Sequence, residues 1–251
     1  MAAMSEPLVV AAELYKSYRR GSESVHALEG ASVTLESSEV VGLIGPSGSG
    51  KTTLLNVLSG WETPERGEIT WADGRRFESA ELLWAEVSLI PQSLGLVEEL
   101  SVRENVELPA RIADRLDHEM SQRVESLLER LGLDQLAHRP PEETSLGEQQ
   151  RAAVARALVL YPALVLADEP TGHQDAEWAT NVFWMLKDAA KEGSCCLVAT
   201  HNKEVVQHAH RIVAMLDGRV EHYAEEVPAE VPVDDSIWAP PRDERYYSPR
   251  T

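Results

Sequence analysis

One stretch limits what this chain can fold into: Gly45-Pro46-Ser47-Gly48-Ser49-Gly50-Lys51-Thr52-Thr53. It fits the pattern G-x-x-x-x-G-K-[ST], and its flanks suit that pattern. Val40-Val41-Gly42-Leu43-Ile44 is a short apolar, β-branched run that reads as a buried strand, and Leu54-Leu55-Asn56-Val57-Leu58 continues a helix. The glycines let the backbone curl so that successive N–H groups point inward at phosphate oxygens. The helix start adds its partial positive charge. Lys51 then falls where the β- and γ-phosphates of a nucleotide would lie, and the Thr52 hydroxyl where Mg²⁺ would lie.

At 251 residues the chain is long enough for one sizeable core, and 43% hydrophobic with 26% charged residues is ordinary for a soluble protein. A net charge of −19 is not the balance of a nucleic-acid binder, and it repels anionic lipid. No apolar run approaches the roughly 18 residues of a spanning helix, so direct membrane insertion is not expected. Met1 to Val10 lacks the basic start and apolar core of a signal peptide. Cys195 and Cys196 are adjacent in an apolar run, where a bridge between them would be strained, and they read as reduced, buried thiols of a cytosolic protein.

Several strands end in residues able to serve the loop. Val87 to Ile90 is an apolar strand followed by Pro91-Gln92, so Gln92 sits where α/β sheets place ligand groups. Its amide suits either Mg²⁺ or a held water; a solvated loop glutamine is the plainer alternative. Ala163 to Ala167 leads into Asp168 and Glu169. An acid after such a strand can hold Mg²⁺, and a second beside it can polarise an attacking water. Cys195 to Ala199 runs into Thr200-His201-Asn202, which puts His201 at the same edge, in either a functional or a structural role. Tyr18, at a strand end, suits either a stacking platform for an adenine or a half-buried strand position.

The remaining pattern predicts an antiparallel piece near the N-terminus, with strands at Leu8–Glu13 and Ala31–Leu35 and a strand end and turn over Tyr15–Ser22, while Gly67–Trp71 is another short strand. From about 95 to 160 only helices are predicted. Ser101 opens one with Glu104 three residues on, and Pro109 ends or kinks it; Asp117–Leu131 is closed by Gly132; Gly147–Leu160 follows. Ala176–Ala190 is a further helix, and Asp217-Gly218 turns a final hairpin. Residues 1–223 thus form an α/β unit with an antiparallel N-terminal portion and a helical insert. Residues 224–251, rich in acids and prolines and carrying Trp238, Tyr246 and Tyr247, read as a flexible tail.

Over residues 8 to 223 the chain resembles an ABC-type ATPase subunit. Gly45 to Thr52 matches that family's Walker A, Leu164 to Glu169 its Walker B with the catalytic glutamate, Gln92 its Q-loop, His201 its switch histidine and Tyr18 its adenine-stacking aromatic. Gly172-His173-Gln174-Asp175 occupies the D-loop. Ala167 to Gly172 and Glu104 to Pro109 are similar to the subfamily of lipoprotein release, macrolide export and cell division. The resemblance implies a P-loop NTPase core with a mainly parallel sheet, an antiparallel β subdomain and an inserted α-helical subdomain. It implies ATP and Mg²⁺ as cofactors, held through Thr52, Gln92 and Asp168. Two subunits, identical or different, would close head to tail so that each ATP meets the other subunit's signature. A membrane permease would bind beside the helical insert and hold the protein at the inner face of the cell membrane.

The chain departs from the family in the signature, Thr144-Ser145-Leu146-Gly147-Glu148 in place of LSGGQ, where Ser145, Gly147 and Glu148 would meet the facing ATP and Leu146 replaces a glycine. His173-Gln174 and Asn202 depart from the subfamily as well. The implied function is ATP hydrolysis that powers an exporter or extractor. The alternatives are a transmembrane signalling subunit and a nucleotide-binding module with little turnover.

Overall fold

The computed structural model describes residues 7–21, 23–76, 85–172, 175–200 and 206–224. A six-stranded sheet has the order β5(Val87–Ile90), β6(Leu164–Asp168), β7(Cys195–Ala199), β3(Val40–Ile44), β8(Arg211–Leu216), β9(Arg219–Ala224). All its pairings are parallel except β8–β9. A second, antiparallel sheet has the order β2(Glu23–Glu36), β1(Pro7–Arg20), β4(Arg66–Trp71). The helices are α1(Lys51–Leu58), α2(Val102–Ile112), α3(His118–Arg130), α4(Leu146–Leu158) and α5(Ala176–Lys191).

Residues of β3, β6 and β7 are buried on both faces, which is why these strands read as continuous apolar runs. Alternation splits them between two cores. Val41, Leu43, Leu164, Leu166, Cys195 and Leu197 pack with α1 and the antiparallel sheet. Val40, Val165, Ala167, Cys196 and Val198 pack with α2 to α5. The two cysteines are therefore free thiols on opposite faces of one strand. Burial raises both, Cys196 to about 12.

Between β5 and β6 the described chain is helical, with two short 3₁₀ turns. Capping boxes start α2 (Ser101 with Glu104) and α4 (Ser145 with Glu148). Gly132, at φ 63, closes α3, and the Leu133 N–H reaches back to the Leu128 carbonyl at 2.7 Å. Pro109 does not end α2, which continues to Ile112 because Val102, Val106, Pro109 and Ala110 are all buried. The antiparallel strands are also longer than their apolar segments. β1 continues past Glu13, at φ 52, through register shifts that absorb the break in alternation.

Candidate functional site

The loop after β3 is shaped by backbone contacts that exclude side chains. A Cβ on Gly45, at φ 153, would lie 2.1 Å from the Met215 carbonyl oxygen. One on Gly50, at φ 103, would lie 2.3 Å from the Ala27 carbonyl oxygen. The Asp217-Gly218 turn props the loop from behind, the Gly218 N–H donating to the Ser49 carbonyl at 2.9 Å. Ser47 and Gly48 form the exposed tip. The Ser49 hydroxyl is buried and has no hydrogen-bond partner among the described residues. Lys51 folds across the loop, donating to the carbonyls of Gly45 at 2.8 Å and Pro46 at 3.1 Å. Burial lowers the Lys51 pKa, opposed by the carboxylates of Glu169 and Asp168.

The ends of the parallel strands converge on this lysine. Asp168, at the end of β6, is 5% exposed and accepts a 2.7 Å hydrogen bond from the Thr52 hydroxyl. Burial raises the Asp168 pKa, the Thr52 bond lowers it, and Glu169 raises it further. Glu169 takes φ 50, unusual for a side chain of its kind. Its N–H donates to the Ala199 carbonyl at 2.8 Å, and its carbonyl accepts from the Gly172 N–H at 3.1 Å. Gln92 is exposed just past β5 and lines a cavity of about 500 Å³ together with Thr52 and Asp168. The three residues assigned to Mg²⁺ by resemblance thus share one cavity. Their donor set, one carboxylate with neutral oxygens, suits a hard cation completed by phosphates and water. No cluster of three or more His, Cys, Asp or Glu side chains able to hold a metal occurs among the described residues.

Tyr18 stands beside α1, hydrogen-bonded to Thr53 and 37% exposed. Its hydroxyl donates to Glu62 at 2.5 Å, and Lys16 lies 3.3 Å from the same carboxylate. Burial, then Glu62, pushes the Tyr18 hydroxyl up to about 12. Burial also pushes Glu62 upward, but the bonds from Tyr18 and Lys16 outweigh it and hold the carboxyl below its ordinary value. Sequence reasoning did not single out Glu62.

The signature residues lie on a different element. Ser145 caps α4, and its backbone N–H donates to Glu148 at 2.7 Å. Leu146 is the first helical residue and 56% exposed. Its backbone is not in the left-handed region, so no glycine conformation is required there; only its bulk distinguishes it. Gly147 follows within the helix. Asp175 caps α5, accepting from the Trp178 N–H at 2.9 Å. His201, Asn202, His173, Gln174 and the segment 225–251 lie outside the described residues.

A groove of about 570 Å³ adjoins the Gln92 cavity, sharing Trp61, Leu89 and Pro91 with it. Ile112 of α2 and Arg156 of α4 line its other side. Arg156 donates to the carbonyls of Gly95 at 2.7 Å and Leu94 at 3.2 Å, tying α4 to the chain that follows Gln92. Trp61 is 71% and Ile112 67% exposed.

Residues 28–172 match the family model described as ABC transporter. The chain belongs to the ABC transporter ATP-binding family. It is therefore a nucleotide-binding ATPase cassette. Its relatives include the macrolide export ATP-binding/permease protein MacB 2 of Aeromonas hydrophila, 36% identical over 92% of this chain but only 36% of that protein. The cassette thus spans about a third of the length of that relative. The lipoprotein-releasing system ATP-binding protein LolD 2 of Caulobacter vibrioides is 38% identical over 87% of this chain and 98% of that protein. Among solved structures, the dimeric post-hydrolysis state of the ATP-binding cassette MJ0796 bound to ADP and Pi resembles the cassette with a TM-score of 0.80. The two are 30% identical over 86% of this chain and 97% of that one. The described residues contain no helix long and apolar enough to cross a membrane.

Proposed function

We propose that this ATPase works as one half of a cassette dimer that powers a membrane permease, with hydrolysis carried by Glu169. The observation that carries this reading is the convergence of Lys51, Thr52, Asp168 and Glu169 at the carboxyl ends of β3 and β6. Backbone N–H groups from Gly45 to Thr53 cradle the phosphates, while Lys51 exchanges its two loop carbonyls for the β- and γ-phosphates. The buried Ser49 hydroxyl, without a partner among the described residues, supplies a further donor. Thr52, Asp168 and Gln92 hold Mg²⁺, which when bound neutralises phosphate charge. Glu169 takes a proton from the attacking water, Tyr18 carries the adenine and His201 contacts the γ-phosphate.

In the dimer, Ser145, Gly147 and Glu148 of one subunit face the ATP held by the other, with Asp175 near the same seam. Residues 1–223 form the cassette together with Ala224, which ends β9; its helical insert lies at about 95–160, and the tail is 225–251. The apolar groove at Trp61 and Ile112 receives the permease, and Gln92 reports the state of the nucleotide to it through the shared cavity wall. This places the cassette at the inner face of a membrane, as part of an exporter or extractor. Glu169→Gln tests the assignment. The amide cannot act as a base, so ATP still binds, turnover is lost and the trapped protein sediments as a dimer with ATP. Hydrolysis at the unmutated rate would remove Glu169 from the chemistry.

A further inference from the structure

Gln150 is 1% exposed, in the second turn of α4, and its Nε2 donates to the main-chain carbonyl of Glu169 at 2.9 Å. We propose that Gln150 is a positioning residue for catalysis: it fixes the backbone of Glu169, and so the direction of the catalytic carboxylate, from the helix that carries the signature. The proposal rests on the reading of Glu169 as the base.

A buried amide is costly unless it is hydrogen-bonded, so its presence on an apolar helix face requires a reason. Gln150 shares its stripe with Ala153, Val154, Ala157 and Leu158, all buried. Glu169 needs support of this kind. A non-glycine residue in the left-handed region is strained and persists only where its surroundings over-determine it. Three hydrogen bonds do so at φ 50: Glu169 N–H to Ala199, Gly172 N–H to the Glu169 carbonyl, and Gln150 to that same carbonyl. The first comes from the neighbouring strand and the second from the turn itself. Gln150 brings in a distant element, five residues from the cap Ser145. With both lone pairs of the carbonyl engaged, the peptide plane after Glu169 cannot rotate. Without Gln150 it can, and the carboxylate samples directions away from the water.

This predicts a loss in the chemical step and none in nucleotide binding. Gln150→Leu keeps the volume and removes the donor. Its kcat should fall about tenfold, equivalent to about 1.4 kcal/mol, with KM and equilibrium ATP affinity within about twofold of the parent. Gln150→Glu adds a readout that packing alone does not move. Its buried carboxyl takes up a proton as pH falls and regains a donor, so its kcat relative to the parent should rise as pH is lowered. At high pH, an ionised carboxylate against the carbonyl oxygen should leave it slower than Gln150→Leu. Because the pH dependence of that ratio involves only Gln150→Glu and the parent, it stands even where Gln150→Leu folds poorly. A parental kcat in Gln150→Leu, a loss expressed as weaker ATP binding, or a pH-independent ratio for Gln150→Glu would each overturn the proposal. Parental turnover in Glu169→Gln would instead overturn the reading of Glu169 itself.

Discussion

Replacing Glu62 by alanine should weaken ATP binding without touching any group that meets phosphate. Glu62 holds the Tyr18 hydroxyl at 2.5 Å and is itself held by Lys16 at 3.3 Å and Asn56 at 3.4 Å. The hydrogen bond is present before and after nucleotide arrives, so its own strength cancels from the affinity. What remains is the order it imposes on the ring before binding. Fixing one rotamer-rich interfacial side chain costs about 0.5–1.5 kcal/mol. Tyr18 is 37% exposed and, once Glu62 is gone, keeps its bond to Thr53 but loses the one to Glu62 that fixes the ring, so about 1 kcal/mol is expected, or roughly fivefold in Kd. The assay is equilibrium titration with ATP and with inorganic tripolyphosphate, which has the phosphates but no base. Glu62→Ala should lose about fivefold for ATP and nothing for tripolyphosphate. Tyr18→Phe, which keeps the ring and loses the bonds to both Glu62 and Thr53, should lose at least as much, and the double variant should add nothing to it. Equal weakening for both ligands would refute the reasoning, because it would mean that Glu62 supports the loop and not the ring.

Gly132→Ala should destabilise the fold by about 3 kcal/mol, combining left-handed strain with overpacking. The added Cβ would lie 2.4 Å from the Trp178 ring, whose face is already covered by Arg151 at 4.0 Å. A denaturant titration showing a loss below about 1 kcal/mol would mean that the ring yields. Leu146→Ala should strengthen ATP-dependent dimerisation in the Glu169→Gln background as much as Leu146→Gly does, because the leucine backbone is ordinary and only its bulk obstructs. Sedimentation with ATP checks this, and a benefit confined to glycine would restore a conformational cause.

Features set by short-range chemistry were legible in the sequence. The strand, loop and helix around Lys51 announce themselves through apolar character and glycine spacing. The Asp217-Gly218 hairpin has both turn residues at positive φ, as that dipeptide favours. The convergence of Gln92 and Asp168 followed from their positions after parallel strands. Features that depend on long-range packing were not legible. The outer halves of β1 and β2 lack apolar alternation and are held by pairing across register shifts. Pro109 breaks the helical rule locally but is overruled by the core beneath α2. Glu62 is distant in sequence from Tyr18, and only folding joins them. Gln150 left one usable trace, a polar side chain in step with Ala153, Val154 and Ala157 on a face that is otherwise apolar. Its partner, a main-chain carbonyl, leaves no mark in sequence.

The central claim is that Lys51 meets the phosphates of ATP. Its Nζ already lies against the loop carbonyls, 2.8 Å from that of Gly45, with Asp168 and Glu169 nearby. Equilibrium ATP binding to purified wild type and Lys51→Ala tests this directly. Hydrogen bonds to charged groups are worth about 1.5–3 kcal/mol, so loss of the ammonium should weaken binding by about 10- to 100-fold or more. Affinity equal to wild type would contradict the assignment of this loop as the nucleotide site.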